Sequence, residues 1–290
     1  MSWFSLSLLS AFSLATSDAI TKKYFSDLSP YMMGLIRLGY ALPWLLSALI
    51  FIPLPLPDTT FWLCLLIGLP LEATAFYCYM KALKVSPLSL TVPFLAFTPG
   101  FIIITGWLLL GEKITPGGFL GIALIITGAY SLNFSKTQYG FLAPLTAIFK
   151  EPGSRLMLFT SFIYAFTATF GKLAIIHSSP QFFAVVYFVA LTLIISLFFP
   201  VMEKKKASVK NFIKKPIIGI ILGVIVSISM FSHVLALSLT NVAYMISLKR
   251  TSLLFGVMYG ALLFKEEKIK ERLIGSAIMI TGVLLISQLA

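Results

Sequence analysis

Long apolar runs alternate with short polar segments along the whole chain, and the runs lack the residue-by-residue alternation of a membrane strand. Each run holds about 20 residues, enough for a helix rising 1.5 Å per residue to cross a hydrocarbon core about 30 Å thick. The pattern therefore predicts an all-α integral membrane protein with ten transmembrane helices. The predicted spans are residues 3–22, 31–52, 60–80, 87–110, 116–133, 156–176, 181–200, 216–238, 242–264 and 271–289.

The composition supports a lipid bilayer as the environment of this chain. Of its 290 residues, 59% are hydrophobic and 11% are charged, which leaves too little polar surface for a water-soluble domain. The net charge of +12 does not indicate nucleic-acid binding, because Lys and Arg lie mostly in the loops, where they set topology and contact anionic lipids. The first run lacks a preceding basic segment and exceeds signal-peptide length, so it is interpreted as a retained span.

The second half of the chain repeats the first. The matches that are hardest to obtain by chance are Lys22 with Lys172 and Ser29-Pro30 with Ser179-Pro180 at an offset of 150, and Glu112 with Glu266, Gly121 with Gly275 and Gly128 with Gly282 at an offset of 154. Each half holds five spans, an odd number, so the two copies should lie in the membrane with opposite orientations. Inverted repeats of this kind are typical of carriers that work by alternating access.

These matches divide the chain into a first repeat at 1–137, a linker at 138–153 and a second repeat at 154–290. Within the linker, residues 139–150 are too few to span a bilayer. They are predicted to lie in the membrane interface as an amphipathic segment.

Positive charge is strongly one-sided. The loops after the odd-numbered spans carry most of the Lys and Arg residues, whereas the loops after the even-numbered spans carry little beyond Lys113. Cytoplasmic loops are enriched in these residues, so the distribution predicts that both termini face outward.

Two related segments, Leu108–Thr115 with Gly121 and Gly128, and Leu262–Lys268 with Gly275 and Gly282, resemble the EamA family of the drug/metabolite transporter superfamily. The resemblance covers essentially the whole chain. It implies a basket of ten helices in the plasma (inner) membrane, with a central cavity lined mainly by spans 1, 3, 4, 6, 8 and 9. It also implies transport, often export, of amino acids, other metabolites, sugars or phosphorylated compounds. Many members keep both termini in the cytoplasm, opposite to the orientation that the charge predicts.

Glu72 is the first candidate for substrate binding or proton coupling. It lies about twelve residues into the third span, on one helical stripe with Tyr79. Charged groups at that depth are costly unless they face a cavity or a partner. A buried ion pair with a cation on another helix is the structural alternative.

Lys249 and Arg250 lie within the ninth span, where Tyr244 and Ser247 share their polar stripe at helical spacing. The pair resembles the Lys-Arg of triose-phosphate transporters, which grip phosphate in the ninth helix. Arg offers a planar fork and Lys a compact charge for an anion. An anionic or zwitterionic substrate is therefore favoured, although the pair could instead neutralise Glu72 or extend to the lipid headgroups.

Other polar residues inside spans have weaker functional signals. His233 could relay protons or bind substrate, and Ser17 and Thr167 lie on matched small polar stripes of spans 1 and 6 that could line a cavity or pack helices. Lys22 and Lys172 lie near span ends and are expected to extend to the interface, with Asp18 paired to Lys22.

Backbone signals complete the predictions. Pro93 and Pro99 predict a kink in the fourth span. The glycine pairs Gly219/Gly223 and Gly256/Gly260 suit close helix contacts, either internal or between the subunits of a homodimer, so monomer and homodimer both stay open.

The sequence thus predicts a secondary transporter for a small polar metabolite, with the bilayer, the substrate and a coupling proton as its partners. No phosphate-binding loop for ATP is present in the sequence, and no cofactor or metal is expected. A membrane-embedded enzyme is disfavoured, since no HExxH motif or paired acid and base accompanies the two His residues. A structural membrane subunit is the third alternative.

Overall fold

The computed structural model describes residues 2–52, 54–86, 91–131, 151–203, 212–264 and 269–289, and its regular structure there is entirely helical. The interfacial segment predicted at 139–150 lies outside these residues, as does Glu266. The helices are α1 (Trp3–Phe25), α2 (Pro30–Gly39), α3 (Leu42–Ala48), α4 (Thr59–Val85), a 3₁₀ helix (Val92–Phe97), α5 (Thr98–Leu110), α6 (Pro116–Ser131), α7 (Pro152–Ile176), α8 (Pro180–Glu203), α9 (Pro216–Leu239), α10 (Val242–Lys249), α11 (Ser252–Phe264) and α12 (Ile269–Leu289).

Helix starts follow the caps that the sequence provides. The Ser29 hydroxyl accepts the Met32 N–H at 3.2 Å ahead of α2, and the matched Ser179 hydroxyl accepts the Phe182 N–H at 3.3 Å ahead of α8. Proline follows both caps, at the position where its missing N–H costs nothing. The repeat detected in the sequence is therefore also a repeat in local structure.

Five of the described helices are long and apolar enough to cross a membrane: α1, α4, α7, α8 as far as Leu197, and α9. Shorter apolar helices lie at Phe94–Leu110, Pro116–Ala129 and Ile274–Ile286. The chain is thus an all-helical, multi-pass integral membrane protein.

Three predicted spans are interrupted rather than continuous. The second divides into α2 and α3 at residues 40–41, and in the fourth the 3₁₀ helix that contains Pro93, where a kink was predicted, precedes α5. The ninth breaks between α10 and α11 at Arg250 and Thr251. The Thr251 hydroxyl donates to the Leu248 carbonyl at 2.8 Å, which offers that carbonyl a local partner in place of a helical N–H.

The two breaks in the fourth and ninth spans are related by the repeat. Helix α5 begins at Thr98 and α11 begins at Ser252, positions that the 154-residue offset equates. Each repeat therefore contributes one discontinuous helix, broken at the same point.

The helices pack in pairs across the two halves. Helix α1 lies along α9, α4 lies along α7, and α6 crosses α12. At the last crossing, a Cβ added to Gly128 would lie 2.6 Å from the Gly275 carbonyl oxygen, and one added to Gly282 would lie 2.6 Å from the Gly121 carbonyl oxygen. Only glycine lets the two backbones approach this closely.

Gly219 and Gly223 pack inside the protein, since their Cα atoms lie against Tyr40. An added Cβ at Gly256, by contrast, would meet nothing within 4 Å. The first glycine pair therefore serves an internal contact.

Lys22 and Lys172, which were predicted to extend to the interface, each donate to carbonyl oxygens at the end of another helix, at 2.7–3.0 Å for Lys22 and 2.7–3.2 Å for Lys172. The ion-pair partner of Asp18 is Arg37, not Lys22. A helix C-terminus attracts a cation because its last carbonyls lack partners.

Candidate functional site

A cavity of about 160 Å³ lies between helices of both halves. It has room for on the order of ten water molecules, which suits a small metabolite. The polar side chains that line it are Arg37, Glu72, Tyr79, Thr98, Tyr164, Thr167, Tyr187, Ser229, His233, Lys249 and Arg250. Apolar side chains, among them Phe76, Phe183, Phe188 and Leu191, complete the wall.

Glu72 extends into this cavity from α4. The side chains of Thr167 on α7 and Tyr187 on α8 lie beside its carboxylate on the cavity wall. Within the described part of the chain, no cation lies within 4.0 Å of it, so the ion pair considered as the structural alternative is not formed. Lys249 interacts with Glu72 only by longer-range electrostatic attraction. The Glu72 side chain lines the cavity.

Lys249, the last residue of α10, points to α9. Its ammonium nitrogen lies 3.1 Å from the Nδ1 atom of His233. Because ammonium only donates, Nδ1 accepts in this contact and the ring proton belongs on Nε2. The two candidate residues from spans 8 and 9 therefore form one unit in the cavity wall.

Arg250 lies at the break between α10 and α11 and is 4% exposed. Its Nη2 donates to the Thr98 hydroxyl at 2.8 Å, at the matching break of the other repeat. Its Nε is buried and has no hydrogen-bond partner in the described structure. An unsatisfied N–H on a buried guanidinium is costly.

Arg37 and Asp18 form a buried ion pair beside the cavity. Arg37 donates from Nη1 to the Asp18 carboxylate at 2.6 Å and from Nη2 to the Ser17 hydroxyl at 2.7 Å. The Tyr79 hydroxyl donates to the other Asp18 oxygen. Arg37 and Tyr79 reach the cavity wall, whereas Asp18 and Ser17 hold them from behind.

A family model described as the EamA-like transporter family matches residues 1–134 and 152–288. The chain belongs to the EamA-like transporter family. The match falls on both halves, so each repeat seen in the sequence and in the helix breaks is an EamA-like unit.

The EamA-like fold also has a solved counterpart. A crystal structure, described simply as that of a protein, superposes with a TM-score of 0.70 over 99% of this chain and 96% of the other, at 15% sequence identity. At that identity the likeness concerns the fold alone. No curated protein sequence matches the chain.

Of the nine candidate residues predicted from the sequence, six line this cavity in the structure: Glu72, Tyr79, Thr167, His233, Lys249 and Arg250. Ser17 lies behind the wall. Tyr244 and Ser247 are elsewhere: the Tyr244 hydroxyl accepts the Thr115 N–H at 2.9 Å in the loop between α5 and α6, and the buried Ser247 hydroxyl donates to the Ala243 carbonyl at 2.7 Å. Both lie on α10, which reaches Arg250 without interruption, but their hydroxyls contact the loop between α5 and α6 and the backbone of α10 rather than the cavity.

Sequence reasoning missed Tyr164, Tyr187, Thr98 and the role of Arg37. Tyr164 stood on a polar stripe of span 6, while Tyr187 and Thr98 carried no charge to single them out. Arg37 did carry a signal, since an Arg within a span needs a buried partner, and Asp18 was the acidic residue available on the neighbouring first span.

Proposed function

We propose that this EamA-like protein is a secondary transporter for a small anionic or zwitterionic metabolite, either an amino acid or a phosphorylated compound. The observation that carries the proposal is Arg250, a residue of the cavity wall whose buried Nε–H lacks a partner among the described residues. A carboxylate or phosphate oxygen is the group that satisfies a guanidinium best.

The charges around the cavity support an anionic group on the substrate. Asp18 neutralises Arg37, which leaves one negative residue, Glu72, and two positive ones, Lys249 and Arg250. An anionic group on the substrate would therefore neutralise the net positive charge of the cavity wall. Glu72, without a close cation, adds an acceptor for an ammonium group of a zwitterion or for a coupling proton.

The proposed mechanism is alternating access in a plasma membrane, with ten spans arranged as two inverted five-span repeats. Three features support it: the family match on both halves, the matched breaks before Thr98 and Ser252, and a cavity between the halves at those breaks. Discontinuous helices that place polar groups near the midplane are typical of such carriers.

The test is counterflow in proteoliposomes that contain the purified protein. Vesicles are loaded with one unlabelled solute at a time from a panel of amino acids, sugar phosphates and neutral sugars, and uptake of the labelled solute is followed. We expect saturable counterflow with a solute that carries a carboxylate or phosphate. Absence of counterflow with every solute would contradict the proposed function.

Variants then connect the flux to the site. Arg250→Lys keeps the charge but removes the planar fork, and it should lower transport at least about tenfold, the loss expected for one charge-assisted hydrogen bond. Glu72→Gln and Lys249→Ala should also abolish most of the flux while the protein still inserts and purifies. Lys113→Ala, at an exposed loop position, is the control. Normal flux in the three site variants would remove this cavity as the transport site.

A further inference from the structure

Four long helices form two packed pairs with the cavity between them. Helix α1 lies along α9 and α4 lies along α7, whereas α1 touches α4, and α7 touches α9, at few points. Glu72 and Thr167 from the α4/α7 pair and Ser229 and His233 from α9 line the cavity. Because the two pairs touch so little, specific side-chain contacts are needed to hold them together.

Two lysine side chains do hold the pairs together. Lys22 of α1 donates to the carbonyl oxygens of Leu83, at 3.0 Å, and Ser86, at 2.7 Å, at the end of α4. Lys172 of α7 donates to those of Leu237, at 2.7 Å, and Thr240, at 3.2 Å, at the end of α9. We call these contacts the Lys22 bridge and the Lys172 bridge.

The two bridges are copies of one another. Lys22 and Lys172 match at the offset of 150, and their acceptors match at the offset of 154, Leu83 with Leu237 and Ser86 with Thr240. Each bridge joins the first span of its repeat to the third span. Each ammonium meets the unsatisfied carbonyls and the negative dipole end of a helix C-terminus.

The bridges lie at opposite ends of the helix bundle. The Ser86 hydroxyl donates to the Glu151 carboxylate, which caps the start of α7, so the Lys22 bridge is at that end. Lys172 follows Glu151 by 21 residues on the same helix, a separation of about 31 Å along the axis at 1.5 Å per residue.

The cavity fills the space between the bridges. Tyr79, on its wall, precedes Leu83 of the Lys22 bridge by about one helical turn. At the other end, two residues of the Lys172 bridge region line the cavity: Leu237, which accepts from Lys172, and Gly171, which precedes Lys172 in the chain. Opening the Lys172 bridge, or the Lys22 bridge together with the Tyr79–Asp18 hydrogen bond beside it, would therefore expose the cavity to the solution on that face.

We propose that the Lys22 and Lys172 bridges are the two gates of the transport cycle, and this inference rests on the proposed carrier function. When the Lys22 bridge breaks while the Lys172 bridge holds, the helix pairs part at the first end and the cavity opens to that face. The reverse arrangement opens it to the other face. The repeat supplies one gate of the same chemistry to each side.

The test measures access to the cavity from each face separately. Ala168 lines the cavity on α7, so an Ala168→Cys variant in a background without the native Cys64 and Cys78 carries a single reporter thiol. A membrane-impermeant methanethiosulfonate is added to intact cells and to inside-out vesicles, and the modification rate is measured in each. Lys22→Met and Lys172→Met remove the donors and keep the side-chain length.

We expect Lys22→Met to accelerate modification from the Lys22 face alone and Lys172→Met from the opposite face alone. The expected acceleration is about two- to fivefold, the range for loss of one cation at a helix C-terminus. Lys23→Met and Lys113→Met, at exposed positions near the respective ends, are the matched controls and should leave both rates unchanged. If a methionine variant fails to insert, Lys22→Gln and Lys172→Gln, which remove the positive charge, are used, and these should show the same face-specific direction.

Unchanged rates, or equal acceleration from both faces, would overturn the proposal. The readout needs no substrate, so it is separate from the counterflow assay. Face-specific rates without counterflow would leave the gates standing and remove the carrier function, whereas counterflow without face-specific rates would do the opposite.

Discussion

The charged side chains buried in this protein fall into two groups. Asp18 and Arg37 satisfy each other, with an ion pair at 2.6 Å and side chains that are 7% exposed. Glu72, Lys249 and Arg250 have no such partner in the described structure and share one cavity. Because an unpaired charge inside a membrane protein is retained only at a cost, the second group is the one that function explains.

The Asp18–Arg37 pair should instead contribute to stability. Asp18→Asn leaves the Arg37 guanidinium buried without its counter-charge, and breaking a buried pair in this way costs about 3–5 kcal/mol. We expect a clear fall in the midpoint of thermal unfolding of the purified protein in detergent. Adding Arg37→Met removes the orphaned charge and should recover most of the loss.

The exposed pair between Asp27 and Lys214 provides the comparison, since its side chains are 53% and 51% exposed. Asp27→Asn should change stability by no more than about 1 kcal/mol, because water already solvates both ions. Equal effects of Asp18→Asn and Asp27→Asn would show that burial does not strengthen the first pair.

At the scale of the helices, hydropathy predicts where the chain crosses the membrane but not where a helix is interrupted. The ends of α4, α6, α7 and α9 fall within a few residues of the predicted spans, because apolar length is set by the bilayer. The break at Arg250 has no proline or glycine beside it. Arg250 at the break contacts Thr98 on another helix, a tertiary contact that a local pattern does not contain.

The same reason explains which site residues were found. Glu72, Lys249 and Arg250 were identified because charge in an apolar run is conspicuous to anyone reading the sequence. Tyr187 and Thr98 are common residue types in spans, and they matter here only because tertiary packing brings them to Glu72 and Arg250. Tyr244 was assigned to the site from its helical spacing to Arg250, but its hydroxyl contacts Thr115 in the loop between α5 and α6, a tertiary contact that the spacing does not contain.

The crossing of α6 and α12 gives a prediction at this scale. Alanine normally stabilises a helix interior relative to glycine by about 0.5–1 kcal/mol. At Gly128, however, the new Cβ would lie 2.6 Å from the Gly275 carbonyl oxygen and 2.7 Å from the Met279 nitrogen. We expect Gly128→Ala to lower stability by about 1–3 kcal/mol through this overpacking, measured by thermal unfolding in detergent.

Gly256→Ala is the matched control, because an added Cβ there meets nothing within 4 Å. It should leave the unfolding midpoint unchanged or raise it slightly. If both alanine variants behaved alike, the close approach of α6 and α12 would not depend on glycine.

At the scale of the whole molecule, the two repeats exchange partners: α1 and α4 of the first half lie against α9 and α7 of the second. Neither half can therefore bury its apolar faces alone, and the cavity belongs to both. This arrangement places one lysine bridge at each end. Lys22 and Lys172, which match in the sequence repeat, therefore lie at opposite faces of the protein.

The orientation of this symmetric bundle is set by charge. Lys84, Lys214 and Lys215 contact the end of α1 and the loop after it, at 2.7–2.8 Å from Leu28, Asp27 and Tyr24 respectively, so basic residues collect at the Lys22 end. Since basic residues remain cytoplasmic, we predict that the Lys22 end faces the cytoplasm and both termini face outward. Epitope tags at the two ends should be cleaved by protease added to intact cells. Protection of both tags would reverse the orientation and keep an even number of spans, whereas cleavage of one tag alone would contradict ten spans and with them the inverted repeat.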